Sequence, residues 1–239
     1  MKIEVQNLEK KFNSFLAVNK INFIIERNTT VGLLGPNGCG KTTSIGMLLG
    51  LIKPTSGNIL IDNQDIDKID RYKLLSKINF ASPYIELPKK LTVRENLEIY
   101  ARLYGVNNFK DRIIEISEDL ILTSFLNKKT GELSSGQKNR VSLAKSLINK
   151  PSILYLDEPT ASLDPDVGDF VRNYIKNYKK KNDVTILLAS HNMSEVERLC
   201  DSVIMMKKGE IVDKGTCSDL IKRHGRNNLE DTFLKIARN

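Results

Sequence analysis

Apolar residues alternate with polar ones at Ile3 and Val5, and again at Ile21, Phe23 and Ile25. A period of two predicts strands over residues 2–8 and 21–26, paired as a hairpin or lying at a sheet edge. Continuous apolar runs follow at Val31-Gly32-Leu33-Leu34, at Ile153-Leu154-Tyr155-Leu156 and over 184–189. Such runs read as parallel strands buried on both faces. Shorter strands are expected at Asn58-Ile59-Leu60-Ile61 and Ile78-Asn79-Phe80-Ala81, and a hairpin over 203–212.

Helical spacing takes over between these runs. A helix is expected over 41–49, stopped by Gly50, and a short one over 65–76. From about residue 84 to 150 the pattern is helical throughout. Thr92 and Glu95 form a capping box ahead of Leu97, Tyr100, Ala101 and Tyr104, and Gly105 ends that helix. Ile113, Ile116, Leu120 and Ile121 mark a second helix. A third starts at Ser134-Ser135-Gly136-Gln137 and carries Val141, Ala144, Leu147 and Ile148. Further on, Asp164 reads as an N-cap with Pro165 at the first helical position, before an amphipathic series from Val167 to Tyr178. Ser194 with Glu197 is expected to cap the next helix. The last 20 or so residues read as one or two short helices.

Composition narrows the class. The chain has 239 residues, 40% hydrophobic and 28% charged, which suits one domain with a subsidiary lobe or two small ones. No apolar run approaches the roughly 18 residues of a membrane span, and the N-terminus has no apolar signal-peptide core, so a cytosolic location is expected unless a partner holds the chain at a membrane. Three scattered cysteines form neither a metal spacing nor a disulfide framework. A net charge of +8 leaves open attraction to nucleic acid or to an anionic membrane leaflet, against the plainer reading of a Lys- and Asn-rich composition.

Candidate chemistry concentrates in Gly35-Pro36-Asn37-Gly38-Cys39-Gly40-Lys41-Thr42, which fits G-x-x-x-x-G-K-[ST] between an apolar strand and a helix. The glycines let consecutive N–H groups turn inward on phosphate oxygens, and the helix N-terminus adds positive potential. Lys41 is placed for the β- and γ-phosphates and the Thr42 hydroxyl for Mg²⁺. Strands of an open parallel sheet present their C-terminal ends to one crevice. The loop after Leu34, Asp157-Glu158 after Leu156, and His191 after Ser190 all sit at such ends. Asp157 is placed to hold Mg²⁺, Glu158 to polarise an attacking water, and His191 to contact the γ-phosphate or hold that water. Adjacent carboxylates on a strand point to opposite sides, so a glycosidase pair is a poor reading. Phe12, ahead of the loop, either stacks on a purine or is an ordinary core or edge residue.

Leu133-Ser134-Ser135-Gly136-Gln137 resembles the LSGGQ signature of ATP-binding-cassette ATPases. With the phosphate loop, Asp157-Glu158-Pro159-Thr160 and Ser162-Leu163-Asp164, it follows that family's order over essentially the whole chain. The resemblance implies an α/β fold: a P-loop NTPase core, mostly a parallel sheet flanked by helices with an N-terminal antiparallel part, plus an inserted α-helical subdomain. It places the core at 1–82 and 151–220, the helical subdomain at 83–150 and a short tail at 221–239. It implies two cassettes closing head to tail on ATP and Mg²⁺. Phe12 would stack on the base. Asn37, Gly38, Cys39, Gly40, Lys41, Thr42 and Thr43 would hold phosphate and metal. Ser134, Gly136 and Gln137 would meet the γ-phosphate from the other copy. Glu158 would be the catalytic carboxylate, His191 the switch histidine, and Asp164 would communicate across the dimer.

Two positions depart from the family pattern. Ser135 stands for the first glycine of the signature. The glutamine usual after the strand at 78–81 is replaced by Ser82-Pro83-Tyr84, which leaves Ser82 or a water to supply the oxygen for Mg²⁺. The resemblance further implies a homodimer on ATP binding and a separate membrane permease, docked near Tyr84, Leu87, Leu91 and Arg94. The chain is then expected at the cytoplasmic face of the membrane. The ending Asn228-Leu229-Glu230-Asp231-Thr232-Phe233-Leu234 resembles export-type cassettes that partner ABC-2 class permeases. The alternative is a soluble cassette acting on nucleic acid or ribosomes, for which only the +8 charge speaks; no specific nucleic acid is expected.

Overall fold

The computed structural model describes residues 1–82, 86–161 and 163–238. Pro83, Tyr84 and Ser162, named above, lie outside the described residues. The chain packs as two compact units, Met1–Asp70 with Asp183–Asn239, and Arg71–Asn182.

In the first unit, β1 (Ile3–Phe12) and β2 (Phe15–Ile25) pair antiparallel, with Ile3 opposite Ile25 and Phe12 opposite Phe15. The hairpin is longer than periodicity alone suggests, because its distal half lacks the apolar alternation: Phe12, Phe15 and Leu16 are exposed there while the adjacent Ala17 and Val18 are both buried. Ile3, Val5, Leu8, Ile21, Phe23 and Ile25 are its buried face. β4 (Ser56–Ile61) lies against β1, and β5 (Gln64–Asp65) returns beside β4. The helix expected over 65–76 is therefore shorter than predicted. Asp62 and Asn63 both have positive φ, the geometry of a two-residue hairpin turn, and they draw Gln64 and Asp65 into the sheet.

A second set of strands in this unit carries β3 (Thr30–Leu34) between β8 (Thr185–Ala189) and β9 (Ser202–Lys207), parallel to both. β10 (Glu210–Gly215) closes a hairpin with β9 around Lys208-Gly209. All five residues of β3 and of β8 are buried, which is why neither alternates. α1 (Lys41–Leu48) ends at Gly50, whose φ of 63° permits the paired bonds Gly50 N–H to Met47 O and Leu51 N–H to Gly46 O. α7 (Met193–Leu199) is capped by Asn192 and not by Ser194: the Asn192 Oδ1 accepts from Glu195 N at 3.2 Å. The Ser190 hydroxyl, bonded to Glu195 Oε2 at 2.6 Å, starts the helix two residues early. α8 (Cys217–His224) and α9 (Leu229–Arg238) complete the unit. Leu220, Leu229, Phe233 and Ile236 pack with Leu34, Val196, Val203 and Met205 beneath the end of β3.

Gly57 has φ +85° on β4, and a Cβ there would overlap the backbone of Asn7 and Gln6 on β1. Strain and overlap reinforce each other. Gly57→Ala is expected to destabilise the protein by about 3 kcal/mol, a fall in melting temperature on the order of 10 °C. A thermal melt within about 2 °C of wild type would contradict the close pairing of β4 with β1.

In the second unit, β6 (Ile78–Ala81) and β7 (Ile153–Asp157) pair parallel, with Ala81 opposite Leu156. Around them lie α2 (Arg71–Leu75), α3 (Val93–Leu103), α4 (Phe109–Asp119), α5 (Ser135–Leu147) and α6 (Pro165–Lys181). The Thr92–Glu95 capping box forms as expected, and Asp164 is the N-cap of α6, though its side chain makes no cap bond. Ile121 does not continue α4: Leu120 is the C-cap, and Ile121 has φ 55° and is exposed.

Candidate functional site

In the first unit the loop between β3 and α1 is shaped by its glycines. Gly40 has φ +106°, and a Cβ on it would come within 2.6 Å of Ala17 O. Gly35 has no room for a Cβ between Cys39 Sγ and Met206 O. Gly38, with φ +77°, has nothing within 4 Å and leaves its outer face open. Cys39 N donates to Pro36 O at 3.2 Å, which curls the backbone. The turn between β9 and β10 braces the curl: Gly209 N donates to Cys39 O at 3.1 Å and Asn19 N to Gly209 O at 2.8 Å. Gly209 was not a sequence candidate; its only signal is the Lys-Lys-Gly turn.

Lys41 Nζ lies inside the loop, donating to Gly35 O at 2.6 Å and Pro36 O at 3.1 Å. An ammonium held among carbonyls by charge-assisted bonds is a ready partner for a stronger acceptor such as phosphate. The first turn of α1 has no acidic residue, so its N-terminal potential is uncancelled there. Asn37 and Thr42 are exposed and Thr43 half-buried. Burial pushes the Cys39 thiol above its ordinary value, more than the neighbouring Lys41 draws it down.

Because Leu33 pairs with Ala189 in parallel register, the loop and Ser190-His191 leave the same end of adjacent strands. His191 is exposed at that end. Phe12 ends β1 with 45% of its surface exposed, beside the more exposed Phe15, and Lys10 Nζ sits 4.9 Å from its ring centroid. A core role for Phe12 is thereby excluded.

The second unit holds the other candidates. β7 delivers Asp157 at its C-terminal end, and Glu158 follows with φ 53°. A left-handed glutamate is a strained backbone of the kind found where side-chain direction matters. Glu158 O accepts from Ala161 N at 3.0 Å. Ser134 is the N-cap of α5 within a reciprocal capping box. Gln137 N donates to Ser134 Oγ at 3.3 Å and Ser134 N to Gln137 Oε1 at 3.0 Å. The S-x-x-Q spacing that signals this box is legible in the sequence. A Cβ on Gly136 would stand 3.3 Å from Val167 Cγ1, so the start of α5 lies close against α6. Asn139, which sequence reasoning passed over, donates from Nδ2 to Pro159 O at 2.8 Å and fastens α5 to the turn after Glu158.

Ser82 is 4% exposed. It lines an interior cavity of about 10 Å³ with Asn139, Ser142 and Pro159, room for no more than one water. Among the described residues no group of three or more His, Cys, Asp or Glu side chains forms a metal cage. The Thr42 hydroxyl and the Asp157 carboxylate are hard oxygen donors of the kind Mg²⁺ takes, one or two from protein with phosphate and water filling its octahedron. No helix among the described residues is long and apolar enough to cross a membrane.

A family model described as ABC transporter matches residues 18–161. The chain is 35% identical over 226 residues to the ABC transporter ATP-binding protein NatA of Bacillus subtilis (strain 168), covering 93% of this chain and 91% of that protein. It is 34% identical to the linearmycin resistance ATP-binding protein LnrL of the same organism, over 98% of this chain and 74% of the relative. It is 35% identical to the Nod factor export ATP-binding protein I of Burkholderia orbicola (strain AU 1054), over 92% and 72%. Among solved structures, an ATP-binding subunit of an ABC transporter superposes with a TM-score of 0.90 at 25% identity, over 99% of both chains. A dimeric ATP-binding cassette in a post-hydrolysis state, bound to ADP and Pi, gives 0.81 at 28% identity over 90% of this chain and 98% of that one.

Proposed function

The chain belongs to the ABC transporter family, as an ATP-binding and ATP-hydrolysing subunit, and on that premise we propose that it powers an exporter whose membrane-spanning part is a separate permease. The observation that carries export is the match, over nearly the whole chain, to relatives named for export and for resistance. The match to LnrL, over 98% of the chain, takes in the C-terminal helices, whose sequence resembles export-type cassettes.

The phosphate loop is assigned the triphosphate: its inward N–H groups, the N-terminus of α1 and Lys41 bind it, and Phe12 stacks on the base. Thr42 and Asp157 would hold Mg²⁺, which when bound neutralises charge on the β- and γ-phosphates. Ser82, buried just past the end of β6, or a water would supply the remaining oxygen. Glu158 accepts a proton from the attacking water, and His191 orients that water or the γ-phosphate. Ser134, Gly136 and Gln137 bring the N-terminus of α5 to the γ-phosphate bound by a second copy, with Asp164 at the seam. Contacts to the γ-phosphate exist only before hydrolysis, so they bias closing and opening of the dimer. The permease sits near Leu87, Leu91 and Arg94 and holds the chain at the cytoplasmic face of the membrane.

The test is recovery of the chain from membranes with a tightly bound multi-span protein, and loss of cargo extrusion when Glu158→Gln replaces the wild type. Recovery with ribosomes or DNA instead, with hydrolysis stimulated by them, would overturn the transport assignment.

A further inference from the structure

The second unit contains a partly buried polar cluster with no part in the chemistry above. Lys145 lies near the C-terminal end of α5, about 16 Å along the helix from Ser134. It is half-buried, and its Nζ stands 3.4 Å from Asn79 Oδ1, 3.4 Å from Phe80 O and 5.1 Å from the Tyr100 ring centroid. Asn79, 3% exposed on β6, also accepts from Tyr104 Oη at 3.3 Å and from Phe80 N at 2.9 Å. Its Nδ2 donates to Asn149 Oδ1 at 3.0 Å, and Asn149 in turn donates to Ser76 O at 2.9 Å. One polar cluster thus joins α3, α5, β6 and the segment leading into β7.

The groups facing the Lys145 ammonium are the Tyr100 ring from α3 and the neutral Asn79 and Phe80 carbonyl oxygens from β6, with the Tyr104 hydroxyl bonded to the same Asn79 oxygen. On α4, Arg112 donates to the Leu147 and Ile148 carbonyls one turn on, and its charge is matched by Glu115, which also pairs with Lys150. Among the described residues no carboxylate pairs with Lys145. Polar residues in an otherwise apolar β6 would be costly without such satisfaction.

We propose that Lys145 is a positioning residue for ATP hydrolysis: as an ammonium it pins the last residues of β6, and Ser82 just beyond them, to the helix that carries the signature at its other end. The proposal rests on reading α5 as that signature helix. Its geometry makes the pin protonation-dependent, since both oxygen contacts and the ring contact weaken when the charge is lost. Burial lowers the Lys145 ammonium to about 8, within reach of ordinary assay conditions.

The sign separates positioning from packing. The folded value lies below that of an unfolded lysine, so the unfolded chain binds more protons above about pH 8. Lys145 therefore makes the fold more stable as pH rises through that window. A lysine that only filled space would leave hydrolysis level or rising there. A positioning lysine makes hydrolysis fall while stability rises.

The experiment measures hydrolysis by the full chain at saturating ATP and Mg²⁺ from pH 7 to 9.5, with thermal melts across the same range. Wild type is expected to lose roughly fivefold to tenfold in rate, while its melting temperature rises relative to Lys145→Met. Lys145→Arg keeps the charge throughout and is expected to be active with a level profile. Lys145→Met is expected to be slow and level. A level wild-type profile, or an alkaline fall that persists in Lys145→Arg, overturns the proposal. Ser134→Ala distinguishes failure of the underlying reading: hydrolysis undiminished in that variant would remove the signature role from α5, whatever the Lys145 profiles show.

Discussion

Glu158→Gln is expected to lower ATP hydrolysis by about a hundredfold or more while leaving ATP affinity within about twofold. The substitution preserves size and removes only the charge and the proton acceptor. Glu158 follows a strand whose residues Ile153–Leu156 are fully buried, and it holds φ 53°, so its direction is imposed by the backbone and survives the change. Glutamine tolerates that conformation about as well as glutamate, so stability should stay within about 0.5 kcal/mol. With ATP bound and hydrolysis blocked, the closed state no longer decays. A dimer should then accumulate in ATP and Mg²⁺, read as a doubling of mass by light scattering. Hydrolysis at the wild-type rate would take the catalytic role away from Glu158. A variant that is inactive yet monomeric at saturating ATP would count against a site shared by two copies.

The second large effect is expected at Lys41. Its ammonium bridges Gly35 O and Pro36 O, so Lys41→Ala removes a charge meant for phosphate and also a clamp on the loop that must receive it. Losing one charge-assisted contact to a phosphoryl group costs about a hundredfold in rate, and affinity should fall about tenfold to a hundredfold. Thermal melting checks this directly. ATP at a hundred times its dissociation constant stabilises the wild type by about 2.7 kcal/mol, and at the same concentration the variant should keep only about 0.4 to 1.4 kcal/mol of that gain. A full ATP-induced shift in Lys41→Ala would mean that the backbone N–H groups bind the nucleotide without it.

Much of the fold is legible in the sequence, for reasons that differ by element. β3, β7 and β8 read directly because both faces are covered, which demands an unbroken apolar run. α3 reads because Thr92 and Glu95 satisfy each other within four residues, and α1 stops at Gly50 because a positive φ suits glycine. The reading fails where a local signal competes with a tertiary one. Residues 65–76 carry helical spacing, yet Gln64 and Asp65 follow a two-residue turn and find a sheet edge in β4. Ser194 and Glu197 have the spacing of a cap, yet the Ser190–Glu195 bond starts the helix at Asn192.

Of the candidate site, the sequence by itself determined where the phosphate-loop motif, the signature-like motif, and the acidic and histidine strand ends fall, because each is a short stretch read from neighbours along the chain. Only the tertiary structure decided what surrounds them. It placed Gly209 behind Cys39, Asn139 against Pro159, Ser82 in the interior and Lys145 beside Asn79. The physical reason is that these contacts join residues far apart in the chain. Such pairings follow from which elements pack together, and periodicity records only that a face is buried, not what it is buried against.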